Sequence, residues 1–146
     1  MKSITSNWFE CIVAFDKTQE DGTTKRVTET YTVDALTFTE AESTITEEMK
    51  PYISGEFNIR NINPAQYKEV FFSDVEKDDK WFKIRIALTD FDEHTQKPKE
   101  TKIIHLVQAQ TSEKASSYTN DIMKQSMLDY RIVSNVETKI IDVFKH

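Results

Sequence analysis

Trp8-Phe9 comes back later in the chain as Trp81-Phe82, and the same spacing of 73 residues carries Phe57 onto Tyr130, Ile59 onto Ile132, Val70 onto Val143 and Phe71 onto Phe144. Between these anchors the spacing is 74, and there Val33 answers to Val107, Ala35 to Ala109, Ala41 to Ala115, Ser43 to Ser117 and Met49 to Met123. One residue inserted in a hairpin loop and compensated near a helix end accounts for the change. A match that keeps its order across a half-chain limits the fold strongly, because both halves must then build the same small unit.

Each half reads alike. Phe9, Cys11, Val13 and Phe15 alternate with other side chains, as do Phe82, Ile84, Ile86 and Leu88. A period of two marks a strand with one face buried. Asp21-Gly22 in one half and Lys97-Pro98 in the other supply turn chemistry. Tyr31, Val33 and Ala35 then form the inner face of a second strand, matched by His105, Val107 and Ala109. Thr37 and Glu40 fit a capping box, and Phe38, Ala41, Ile45, Met49 and Tyr52 make one helical stripe that ends at Ser54-Gly55. The second helix runs from Ser112 to Met127 with a weaker stripe through Ala115, Tyr118, Ile122 and Met123. Two further strands follow each helix, Glu56–Ile62 with Gln66–Phe72 and Asp129–Val136 with Lys139–Phe144.

The pattern predicts an α+β protein, a tandem duplication of a ββαββ unit. Each unit is expected to form an antiparallel four-stranded sheet with one helix on one face. Residues 1–73 form the first repeat, 74–80 a polar linker within the stretch SDVEKDDK, and 81–146 the second repeat. Each unit alone is near the lower size limit for independent stability, so the two are expected to pack as one body.

Composition narrows the function classes. Nine Phe, five Tyr and two Trp offer ample area for a core, which speaks against disorder. No apolar run approaches a membrane span, and MKSITSNWFE has no apolar stretch resembling a secretory signal. The single Cys11 lies in an apolar run, where a buried, inert thiol is expected, and a cytoplasmic setting follows. The net charge of −6 repels polyanions at long range. It is unevenly spread: residues 1–73 hold 7 basic and 12 acidic side chains, residues 74–146 hold 12 and 13.

Motifs for chemistry are absent. Gly22 and Gly55 are the only glycines, so no glycine-rich phosphate loop exists. His94, His105 and His146 have no metal-ligand spacing to each other or to Cys11. No cofactor and no catalytic residue is expected. Glu69 and Asp142 occupy equivalent places between apolar neighbours and form a possible carboxylate pair for a cation or for acid–base work. The plainer reading gives each a solvent-facing role or a lysine partner.

The outer face of the first strand in each half holds the strongest binding signal. It carries Trp8, Glu10, Ile12 and Ala14 in one copy, and Trp81, Lys83, Arg85 and Ala87 in the other. Trp8, Trp81, Lys83 and Arg85 are therefore the candidate ligand-binding residues, able in principle to stack bases and hold phosphates. The alternative is that each tryptophan buries the interface between the units.

The stretches SNWFEC, TVDALTFTEAE, EEMKPYISGEF and EVFFSD, with the second WF and the terminal DVF, resemble a family, domain of unknown function 4494, of Bacteroidetes and their phages. That resemblance implies a bacterial or phage source and no activity. The expectation is a non-enzymatic binding or adaptor protein whose partner is a protein or small ligand before nucleic acid. Single-stranded nucleic-acid or nucleotide binding on the Trp/Lys/Arg face is the alternative, and a small enzyme using paired carboxylates the remote one. Homodimerisation through sheet edges is a further expectation.

Overall fold

The computed structural model describes residues 1–145, so His146 lies outside the described residues. The elements in chain order are β1 (Lys2–Thr5), β2 (Trp8–Thr18), β3 (Thr24–Asp34), α1 (Phe38–Met49), β4 (Phe57–Pro64), β5 (Glu69–Phe72), β6 (Lys80–Asp92), β7 (Lys97–Ala109), α2 (Ser112–Lys124), β8 (Asp129–Glu137) and β9 (Ile140–Phe144). They form two sheets, one ordered β1-β5-β7-β6-β8 and the other β4-β2-β3-β9. This is a mixed α+β protein.

Two compact units result. One joins Met1–Thr5 to Gln66–Thr138, and the other joins Ser6–Ala65 to the chain from Lys139 onward. In the first, Phe71, Phe82, Ile84, Ile86, Val107 and Ala109 pack on Ala115 and Met123 of α2. In the second, Phe9, Cys11, Val13, Phe15, Tyr31 and Val33 pack on Ala41, Ile45 and Met49 of α1. The alternation read from the sequence selects these faces, and burial of their apolar side chains is the main stabilising force.

Local signals place the helices. The Thr37 hydroxyl accepts from Glu40 N at 3.1 Å, and the Thr111 hydroxyl accepts from Lys114 N at 3.2 Å, satisfying one orphan amide at each helix start. Glu40 reaches back to Leu36 N at 3.1 Å, one residue beyond the capping-box partner. The α1 stripe is narrower than expected, since Phe38 and Tyr52 are exposed. α2 stops at Lys124, short of Met127, because Met127 turns to φ 61.

Strand membership corrects the expectation of two four-stranded antiparallel sheets, each drawn from one half. β5, from the first half, lies parallel to β7 of the second. β9, from the second half, lies parallel to β3 of the first. β1, not foreseen, covers the outer edge of β5 in antiparallel fashion. The physical reason is that alternation fixes a strand's faces but not its partner, and β5 and β9 carry nearly interchangeable faces. Their registers coincide: Glu69 lies opposite His105 as Asp142 lies opposite Tyr31, and Phe71 opposite Val107 as Phe144 opposite Val33. The antiparallel pairs repeat as well, Cys11 with Ile62 and Ile84 with Asn135. Even the bulge recurs, between Ile12 and Val13 and between Arg85 and Ile86.

Within the polar segment 74–80, Asp78 is 2% exposed. Its carboxylate accepts from the Ser73 and Tyr118 hydroxyls and from Gln110 N, with the Lys114 ammonium 3.9 Å away. Burial alone would raise its pKa, but the bonds from Ser73 and Tyr118 and the charge of Lys114 outweigh it and hold the carboxyl below its ordinary value. Asp78 thus ties this segment to the start of α2.

Candidate functional site

Trp8 opens β2 and Trp81 is the second residue of β6, and each is 2% exposed. The Trp81 ring meets Phe72 edge-on at 5.5 Å, while its carbonyl accepts both the amide and the hydroxyl of Thr138 at 2.8 Å. The Trp8 carbonyl accepts Ala65 N at 2.8 Å. Both tryptophans anchor the point where a neighbouring chain segment leaves its sheet. A ring so covered offers no face to a base arriving from solvent, which favours the alternative that both tryptophans are buried.

With Phe82, Ile84 and Ile86 turned to α2, Lys83 and Arg85 project from the opposite face of the same sheet. Register supplies their neighbours in three successive rows: Lys102–Ala87–Arg131, Ile104–Arg85–Ser134 and Leu106–Lys83–Val136. These nine positions hold four cations and no carboxylate. Arg85, Lys102 and Arg131 are exposed; Lys83 is half-buried, its ammonium 5.7 Å from the Tyr67 ring centroid. Arg131 also reaches Glu100, in the next row, at 3.4 Å. Lys68 and Lys102 line a cleft of about 330 Å³ at the margin of this face.

The equivalent face of the other sheet is quite different. Its three rows are Thr28–Ala14–Asn58, Thr30–Ile12–Asn61 and Thr32–Glu10–Asn63, with no cation and one acid. Two frames with matching registers therefore carry different side chains in these rows, of which Ala14, Thr32, Ala87 and Leu106 are at most 1% exposed.

The carboxylates that the sequence paired stand in different sheets. Glu69 stands in the five-stranded sheet and Asp142 in the four-stranded one, so neither unit holds both. Cys11 is fully buried; that burial, and then the charge of Glu10, push its thiol up to about 12, so it stays protonated at neutral pH. His105 is buried beside Phe71 with Nδ1 lacking a hydrogen-bond partner, and burial lowers its pKa against the opposing pull of Glu69. A cleft of about 580 Å³ on the helix side is lined by Glu69, Asp74, Asp121 and Tyr118 among others. Among the described residues no three His, Cys, Asp or Glu gather as a metal set, and no helix is long and apolar enough to cross a membrane.

The family model for domain of unknown function 4494 matches residues 7–146. The chain belongs to that family. Membership bears out the resemblance carried by SNWFEC and EVFFSD, and the family's description assigns no activity. No curated protein and no solved structure matches the chain.

Lys102 and Arg131 escaped the sequence reading. Lys102 could have been found by counting back from the β6–β7 turn, since its pairing with Ala87 follows from the hairpin register. Arg131 could not, because the bulge at Arg85/Ile86 shifts β8 by a residue that no periodicity announces.

Proposed function

We propose that this protein is a non-enzymatic binding module that takes an anionic polymer on the face of the five-stranded sheet opposite α2. The observation that carries the reading is the group of exposed cations Arg85, Lys102 and Arg131 in two neighbouring rows, against Ile12, Thr28 and Asn58 at the equivalent positions of the other sheet. Cations so concentrated neutralise phosphates or sulfates and release their counterions, which drives binding entropically. The net charge of −6 opposes long-range attraction, so affinity is expected to be modest and steeply dependent on salt.

Salt-dependent binding of a sulfated or phosphorylated polymer, followed by fluorescence anisotropy, tests this. Lys83→Ala, Arg85→Ala and Lys102→Ala should each weaken binding, and each should flatten the log–log salt slope by roughly 0.7–0.9. Absence of binding at low salt, or unchanged slopes in the triple variant, would sink the proposal.

The matching registers and bulges of the two sheets support descent of both halves from one duplicated ββαββ unit. A bacterial or phage source and a cytoplasmic setting belong to the same reading, the latter supported by the single buried thiol. The small-enzyme alternative would use Glu69 or Asp142, and the two stand in separate sheets.

A further inference from the structure

We infer that the unit built on the four-stranded sheet carries a further binding site, a cleft that takes a quaternary ammonium group. The cleft, of about 350 Å³, opens between the β2–β3 hairpin and the end of α1. Phe15, Tyr31, Met49 and Ile53 form its interior, each at most 9% exposed, and Tyr52, 73% exposed, joins them at the rim. Glu29 lies opposite Val13 as Tyr31 lies opposite Cys11, so both point to the side of α1. There the Tyr31 hydroxyl donates to the Glu29 carboxylate at 2.5 Å. The equivalent positions of the five-stranded sheet, Ile103 opposite Ile86 and His105 opposite Ile84, hold no carboxylate and no phenol.

Charge, a cation already in place and the nature of the walls select this ligand. Burial first, then the bond to Glu29 and the charges of Glu29 and Asp142, push the Tyr31 hydroxyl far above its usual range. The same negative field, with the aromatic rings, favours a cation. An alkylammonium stands at the mouth: Lys17 Nζ is 3.7 Å from Glu29, with its side chain 57% exposed. That compact, strongly hydrated head stays in water. Asp16, also on the rim, lies 3.5 Å from Arg26. A primary ammonium entering the cleft would meet apolar and aromatic walls and a carboxylate already engaged by Tyr31, leaving donors unpaired. A quaternary ammonium has no donors to satisfy, and its apolar skin carries the charge up to the rings.

The test titrates choline, tetramethylammonium, butylammonium and the uncharged carbon isostere of choline into the whole protein, followed by the NMR signals of Tyr31 and Tyr52. Choline and tetramethylammonium should shift those signals saturably, and the isostere and butylammonium should bind about tenfold more weakly. Tyr52→Ala should weaken choline about fivefold and Tyr52→Phe should retain it, a readout that a side chain so exposed gives without disturbing the core. Glu29→Gln should weaken choline, and Lys17→Gln should tighten it by removing the competing cation. A short peptide carrying trimethyllysine, set against choline, separates a partner protein's side chain from a free small molecule, the tighter binder naming the source. Equal binding of the isostere would overturn the assignment by showing apolar burial alone, and equal binding of butylammonium would overturn the quaternary preference. No saturable shift with any probe removes the site. None of these outcomes depends on the cations of the five-stranded sheet.

Discussion

At the scale of single residues, charge and burial were unequally legible. Lys83 and Arg85 could be assigned to an outer face from alternation alone, and register puts them there. The tryptophans could not be assigned an exposure, since alternation says which way a side chain points and nothing about what covers it. His105 is a third case: its spacing matches it to Tyr31, but the cost of burying it becomes visible only with the Nδ1 atom unpartnered beside Phe71. Burial holds its folded pKa below the ordinary 6.5, so the unfolded chain binds the proton more readily. The stability from a neutral His105 is therefore fully present above that value and is lost progressively as pH falls below it. His105→Tyr should flatten this acid-side decline in the urea midpoint measured between mildly alkaline and mildly acid pH. An unchanged decline would mean that another group governs it.

At the scale of elements, the hairpins and helices were readable and the strand partners were not. Turn residues and periodicity gave β2 with β3, β6 with β7 and both capped helices, because those pairings are local. β5 and β9 pair with strands far away in sequence, and either would satisfy either slot by its pattern of faces. The two edges they form are managed differently. β1 lies along β5 from Lys2 opposite Phe72 to Thr5 opposite Glu69. No strand lies along the outer side of β9 among the described residues. There the Asp142 carboxylate accepts the amide of Val143 at 2.8 Å, engaging one backbone donor and placing a charge in the middle of the strand. Charge on an edge strand is a common defence against pairing with another copy. Asp142→Val is accordingly expected to promote concentration-dependent self-association in sedimentation experiments at neutral pH. A variant that stays as monodisperse as the parent would show that Asp142 does not guard this edge.

At the scale of the whole molecule, the order of the halves along the chain differs from the composition of the sheets. Residues 6–65 need β9 to finish their sheet, and residues 80–138 need β5 and β1 to finish theirs. Cutting between 73 and 74, where the repeat falls in sequence, leaves one fragment without β9 and the other without β1 and β5. Each fragment should lack a cooperative urea transition when made alone, and mixing the two should restore one, with native-like circular dichroism. A fragment 1–73 that unfolds cooperatively by itself would refute this dependence. Pairings such as Tyr31 with Asp142, over a hundred residues apart in sequence, also predict slow folding, since loop closure must precede the contacts that reward it.

The exchange of β5 and β9 has a consequence for how the protein is made. During synthesis the earlier hairpin, β2–β3, emerges with its helix long before the ribosome has read the codons for β9. The edge of β3 that receives β9 stays open until residues 140–144 have been made, and a product interrupted before them never closes it. A chain cut short of β9 therefore keeps an unpaired strand edge, open to pairing with another copy.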